Sequence, residues 1–166
     1  MENAEYIVNS DIRIRRALPE EFKPAMEMIW KVFNEFEAEE YGPVGTANFR
    51  DFINGDIIKN MFDIGEYPMW IATCKGKIVG ASSLRAKTHI SLLFVDKEYQ
   101  RMGIGRLLVK AMQDHTEERG SIKLTVNSSP VGEGFYRKVG FMDTDSRKYT
   151  NGIVYTPMIL LERLEA

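Results

Sequence analysis

An α/β fold, with a mixed, mainly antiparallel central sheet flanked by helices, is what this sequence predicts. Three observations lead there. Extended runs, some alternating in polarity and one continuously apolar, recur along the chain. Amphipathic stretches with apolar residues three and four apart lie between them. Lys75-Gly76-Lys77 and Asn151-Gly152 are hairpin turn signals, and hairpins join antiparallel neighbours. The element order reads βααβββαβαββ, in a single domain over residues 1–166.

The first ten residues read as a frayed end. Ile12 and Ile14 then alternate with Arg13 and Arg15, the period of a half-buried strand. Leu18-Pro19-Glu20-Glu21 opens a helix, because proline is tolerated in the first turn and acids favour the positive end of the helix dipole. Phe22, Met26, Ile29, Phe33 and Phe36 form its apolar stripe. Tyr41-Gly42-Pro43 breaks the chain. Thr46 is a candidate cap for a second helix with Phe49, Phe52, Ile53 and Ile57 turned inward.

From Tyr67 the texture changes. Residues 69–74 and 78–84 read as two strands of a hairpin, and residues 90–95 as a mostly apolar strand at the centre of the sheet. Leu107, Leu108, Ala111, Met112 and His115 trace a helical face that stops at Gly120. Ile122, Leu124 and Val126 alternate as a strand. A short helix over 131–139 ends at Gly140, and extended runs around Asn151-Gly152 complete the chain.

Composition narrows the function classes. Of 166 residues, 44% are hydrophobic and 28% charged, which suffices for a packed core. A net charge of −2 argues against a broad nucleic-acid surface. No apolar run is long enough to span a bilayer, so no membrane partner is expected. Acids stand at Glu2 and Glu5, where a secretory signal would carry bases. A lone Cys74 excludes an intrachain disulfide and a cysteine-rich zinc site. With only His89 and His115 besides, no metal is expected. The expected location is the cytoplasm. The near-neutral total hides a polarity: residues 20–66 carry a balance of −7 and residues 67–166 one of +5.

One local pattern carries chemistry. Gln100-Arg101-Met102-Gly103-Ile104-Gly105-Arg106 lies between an apolar strand and an amphipathic helix. Glycines let backbone N–H groups approach a ligand, the helix start adds unpaired donors and partial positive charge, and two arginines add full charges. The sum suits a diphosphate. A P-loop would need Gly-Lys-Ser/Thr, which is absent. A dinucleotide fingerprint would need a small residue where Leu108 stands and an acid near Val126-Asn127-Ser128. A helix cap without a ligand is the competing interpretation, since such a glycine pattern arises by chance in roughly one chain in ten.

A second element follows: Asn127-Ser128-Ser129-Pro130, then Phe135-Tyr136-Arg137-Lys138-Val139-Gly140-Phe141. In this order the two elements resemble the GNAT acetyltransferase superfamily, through Val95, Gln100-x-x-Gly103-x-Gly105 and Tyr136-x-x-x-Gly140-Phe141. The resemblance covers residues 67–141. It implies a GNAT-like acyl-CoA N-acyltransferase fold whose central strand splays from its parallel neighbour. It further implies acetyl-CoA as cosubstrate, with Phe94 and Val95 along the pantetheine arm. Gln100, Arg101, Met102, Gly103, Ile104, Gly105 and Arg106 would surround the diphosphate, and Asn127 would be a further cofactor contact. Tyr136 falls where many members place the acid that protonates the departing thiolate. A homodimer is also implied by the resemblance alone.

The expected activity is transfer of the acetyl group of acetyl-CoA to a primary amine of a small molecule, peptide or protein, by direct attack in a ternary complex. The alternative is a non-catalytic acyl-CoA-binding regulatory module. Without the resemblance, an aromatic packing beside Phe135 is the preferred reading of Tyr136. A phenol of pKa about 10 is a workable acid for a thiolate of pKa about 8.5, and the N–H of Val95 is the candidate donor to the thioester oxygen. For the base, Glu35, Glu37, Glu39 and Glu40 cluster at the end of the first helix and His89 opens the central strand. A solvated acidic face and a core-edge histidine are the readings preferred for them over a base.

Overall fold

The computed structural model describes residues 4–165. Its strands are β1 (Tyr6–Ile7), β2 (Ile12–Arg16), β3 (Met69–Cys74), β4 (Lys77–Arg85), β5 (His89–Val95), β6 (Leu124–Ser128), β7 (Met142–Asp143), β8 (Lys148–Thr150) and β9 (Ile153–Leu160). The helices are α1 (Phe22–Phe36), α2 (Ala38–Asn54), α3 (Asp56–Asp63), α4 (Ile104–Glu118) and α5 (Glu133–Val139). The sheet runs β1-β2-β3-β4-β5-β6-β9-β7, with β8 paired to β9. Every pairing is antiparallel except β5 with β6. The predicted mixed, mainly antiparallel α/β architecture is the one observed.

Helices cover both faces. On one, α4 and α5 pack through Ile104, Leu108, Met112 and Tyr136 onto Ile12, Trp70, Val79 and Leu124. On the other, Met26, Ile29 and Val32 of α1 cover Met69, Ile71, Ala81 and Leu92. Ile90 joins the first core and Leu92 the second, which places the central strand between two dry layers.

The turn chemistry matches the sequence. Lys75 and Gly76 have φ of +49° and +83°, and Asn151 and Gly152 +51° and +79°, the left-handed pairs that two-residue hairpins need.

Four expectations need correction. The N-terminus is not frayed throughout: Tyr6 and Ile7 pair with β2, and the Tyr6 hydroxyl donates to Asp114 of α4 at 2.5 Å. Helix α2 begins at Ala38, bends at Gly42 (φ +71°) and resumes with Pro43 in a first-turn position. Thr46 therefore lies inside the helix, donating to the Ala38 carbonyl at 3.2 Å instead of capping. Gly55, in extended conformation, ends α2 and resets the helical phase. Ile58 is buried as a result, while Ile57 and Phe52 are exposed. Ile122 precedes its strand rather than opening it.

The feature that positions the site is a bulge in β5. Ser83 opposes Leu92 and Leu84 opposes Ile90, so Ser91 is an extra residue without a cross-strand partner. The Tyr67 hydroxyl pins it by donating to Ser91 Oγ at 2.8 Å. Pairing with β6 is limited to His89 with Thr125 and Ile90 with Val126, and stops at this bulge. Beyond it the two parallel strands part.

Candidate active site

In the gap between β5 and β6 the edge of β5 is unpaired. Residues 91–95 are held by β4 on one side and have no ladder partner on the other. Asp96 donates its N–H to the Val79 carbonyl of β4 at 2.8 Å. Since N–H directions alternate along a strand, the N–H groups of Val95 and Leu93 point into the gap. The Val95 carbonyl, on the same edge, accepts Gln100 Nε2 at 3.0 Å. The Phe94 ring lies instead on the α1–α2 side, 5.9 Å from that of Phe49.

The glycine loop closes one end of this gap. Arg101 and Gly103 both have left-handed φ, +64° and +89°, so the chain curls into the start of α4. For residue 103 this conformation costs an L-residue about 1–2 kcal/mol, and glycine avoids it. No side chain caps α4, and its first helical hydrogen bond runs from Leu107 N–H to the Gly103 carbonyl. The N–H groups of Ile104, Gly105 and Arg106 are thereby left without intrahelical acceptors. Gly105 answers a packing need: a Cβ there would stand 2.8 Å from the Phe135 ring, which seats α5 against the start of α4.

The side chains of the loop divide. Ile104 is buried in the core, so only its backbone faces outward, while Met102 is 49% exposed. The Arg106 guanidinium turns to the tail and donates to the Glu165 carbonyl at 2.8 Å. Arg101 is exposed beside the loop. Asp96, which sequence reasoning passed over, anchors the loop. It is 2% exposed, accepts the Glu98 N–H at 3.1 Å and pairs with Lys31 of α1 at 3.5 Å. An Asp ending an apolar strand, with a turn two residues on, was a readable capping signal.

Across the gap, Tyr136 is 8% exposed, its ring edge-on to Phe135 and Phe141 at 5.2 and 5.1 Å. Burial raises its pKa well above the usual 10, helped by the nearby Glu37 and Tyr41. Among the described residues its hydroxyl makes no hydrogen bond. Glu37, at the α1–α2 junction, is the one member of the glutamate cluster turned inward; Glu35, Glu39 and Glu40 are exposed. Ser129 Oγ donates to Glu37 Oε1 at 2.6 Å and accepts the Gly132 N–H at 3.3 Å. Burial raises the Glu37 pKa, and the Ser129 bond opposes that rise.

Helix α5 is only seven residues long and contains Gly134. A polar network braces it. Glu133, 8% exposed, accepts the Thr156 hydroxyl of β9 at 2.6 Å and Arg147 Nη2 at 2.9 Å, which lower its pKa. Those partners are 23 and 14 residues away in sequence, so no local pattern announced them.

Of the remaining candidates, Asn127 follows Val126 where the two strands part, and the others lie apart. The Asn127 side chain is exposed, and its backbone pairs with Pro157 of β9. His89 sits six residues from Val95, roughly 20 Å along the strand. Its Nδ1 is 2.9 Å from Thr125 Oγ1, and burial lowers its pKa to about 4. Cys74 is partly buried at the end of β3. Among the described residues no cluster of three metal-ligating side chains occurs, and no helix is long and apolar enough to cross a membrane.

The family model of the acetyltransferase (GNAT) domain matches residues 37–162. The chain belongs to the GNAT acetyltransferase family. Among curated GNAT-type relatives, the uncharacterized N-acetyltransferase YitH of Bacillus subtilis (strain 168) is 44% identical over 64 residues. That match covers 38% of this chain and 22% of YitH. The uncharacterized N-acetyltransferase YafP of Escherichia coli (strain K12) is 24% identical over 139 residues, 84% of this chain and 87% of YafP. The fold is shared with the PaiA N-acetyltransferase of Thermoplasma acidophilum, solved in complex with coenzyme A. Its TM-score is 0.76 at 18% identity, over 91% of this chain and 99% of that one.

Proposed function

We propose that the protein transfers the acetyl group of acetyl-CoA to a primary amine, of a small molecule or of a peptide or protein, by direct attack in a ternary complex. The observation that carries this is the parting of β5 from β6 at Ser91. It leaves a strand edge free, next to the uncapped, glycine-bearing start of α4. A free edge suits the amide-rich pantetheine arm, and unpaired N–H groups at a helix start suit a diphosphate.

When bound, acetyl-CoA supplies the activated acetyl carbon as a thioester. The chain's residues do the rest. The backbone N–H groups of Gly103, Ile104, Gly105 and Arg106 hold the diphosphate, with Arg101 adding charge. Val95 presents its backbone to the arm, with Phe94 alongside and its own backbone groups turned to β4, and the Val95 N–H stabilises negative charge developing on the thioester oxygen. Met102, Gln100 and Asn127 complete the expected contacts.

Tyr136 is the proton donor to the departing sulfur. A phenol pushed above its usual pKa gives up its proton reluctantly, so a free tyrosinate is not expected to accumulate. Tyr136 therefore acts as a relay: it hands its proton to sulfur while regaining one from the newly bonded, positively charged nitrogen.

Thiol release from acetyl-CoA across a panel of amines, in wild type and Tyr136→Phe, tests the proposal. Amine-dependent release in wild type that falls about 100-fold or more in the variant is expected. No amine-dependent release with any acceptor would overturn the activity, and equal rates would overturn the role of Tyr136.

A further inference from the structure

A protonated amine must lose a proton before it can attack, and one carboxylate stands where that loss would occur. We propose that Glu37 accepts the proton of the incoming ammonium group, the acceptor entering between the α1–α2 junction and the β6–α5 turn. The assignment rests on the acetyl-transfer activity proposed above and names its proton acceptor.

Three observations converge on Glu37. It alone of the four clustered glutamates turns inward. Ser129, 92 residues away in sequence, fixes Oε1 with a 2.6 Å hydrogen bond and is itself locked by the Gly132 N–H, which leaves Oε2 for a ligand. Tyr136, 8% exposed and with no hydrogen bond from its hydroxyl among the described residues, is close enough for the Glu37 charge to act on its phenol. The groups facing Glu37 are Tyr41 and Glu40 of α2, Ser129 of the β6–α5 turn and Tyr136 of α5. None is a cation, and among the described residues no Lys or Arg pairs with Glu37. A partly buried carboxylate without a counter-ion, with a phenol oxygen nearby that can also accept, suits one cationic donor. An alkylammonium group supplies it.

The proton balance closes. Glu37 takes one proton from the ammonium, and the freed nitrogen lone pair forms the C–N bond. The C–S bond breaks with its electron pair leaving on sulfur. Tyr136 protonates that sulfur and is reprotonated by the nitrogen, and Glu37 returns its proton to solvent. An unperturbed amine with a pKa of about 10.4 is less than one part in a thousand neutral at pH 7. Burial pushes a carboxyl up and an ammonium down, which narrows the gap the transfer must cross.

The test uses the best alkylamine from the acceptor panel and its fluorinated analogue, whose amine is already neutral at pH 7. Glu37→Gln should lower kcat/KM for the alkylamine about 100-fold or more, and for the neutral analogue less than about threefold. The alkylamine deficit should shrink as pH rises toward 10. Ser129→Ala removes the bond that holds the Glu37 pKa down, so the acid limb of the wild-type pH profile should move to higher pH. Equal losses on both amines, or none, would overturn the assignment while leaving acetyl transfer standing. No turnover of any amine by wild type would overturn both. Retention of the acetyl-CoA thermal shift by Glu37→Gln separates loss of chemistry from loss of fold.

Discussion

The two walls of the gap are built on different principles. The wall of β5, the 100–106 loop and the start of α4 is local: one run of chain brings strand edge, turn and helix start together, and what it offers a ligand is mainly unpaired backbone groups. The opposite wall is non-local. Glu37 meets Ser129 from 92 residues away, and Glu133 holds Thr156 and Arg147 across separate strands and loops. Backbone recognition of an invariant cosubstrate needs few side chains, whereas handling an acceptor and its proton needs particular ones. Changes on the first wall should therefore alter acetyl-CoA binding, and changes on the second should alter turnover.

The largest expected effect breaks that division at its hinge. A side chain at residue 105 would collide with Phe135, so Gly105→Leu should disturb both walls at once. Wild type saturated at about 100 times its dissociation constant should gain roughly 2.7 kcal/mol, or some 5–10 °C in Tm. The variant should lose this gain altogether. A retained shift would show that the start of α4 is not part of the cosubstrate site.

Glu133→Ala probes the second wall alone. It strips the Thr156 hydroxyl and Arg147 of their buried acceptor, at a cost of about 1–3 kcal/mol in stability. The kcat should fall with α5 loosened, while the acetyl-CoA shift persists. Loss of binding with kcat intact would contradict the division.

A pH effect on stability should stand apart from both walls. His89 and His115 are held below their usual pKa of 6.5, at about 4, chiefly by burial. Below pH 6.5 the unfolded chain binds protons that the folded chain refuses, so stability is full above that pH and declines between about 6.5 and 4. The expected loss is on the order of 1 kcal/mol per histidine after solvent screening. Chemical denaturation across this range checks it. His89→Gln with His115→Gln should flatten the decline without moving the acid limb of turnover. Glu37 has the opposite sign: its raised pKa makes ionisation destabilising, so Glu37→Gln should be at least as stable as wild type at pH 8.

The smallest effect belongs to an exposed charge. Arg101→Ala should weaken acetyl-CoA binding by a few tenths to 1 kcal/mol, more at low salt than at high, and leave the KM for the amine unchanged. Titration at two ionic strengths reads it.

Legibility followed the same division. The Gly103 and Gly105 pattern between an apolar strand and an amphipathic helix was readable because its parts are neighbours in sequence. The hairpins at Lys75-Gly76 and Asn151-Gly152 were readable for the same reason. The bulge at Ser91 carries no sequence mark, since only pairing with β4 makes that residue extra. Four glutamates looked alike in the sequence. Its place at the α1–α2 junction and the Ser129 hydroxyl distinguish Glu37, and both act through tertiary placement. The short pairing at Tyr6 and Ile7 was missed because its anchor, Asp114, lies on a helix 108 residues away.

The location of the cosubstrate is the central claim, and backbone amide resonances on addition of coenzyme A test it most directly. Shifts concentrated at Leu93, Val95 and residues 103–106, with Glu133 and the outer face of α2 little changed, are the expected result. Shifts centred elsewhere, with the β5 edge and the start of α4 unmoved, would contradict it.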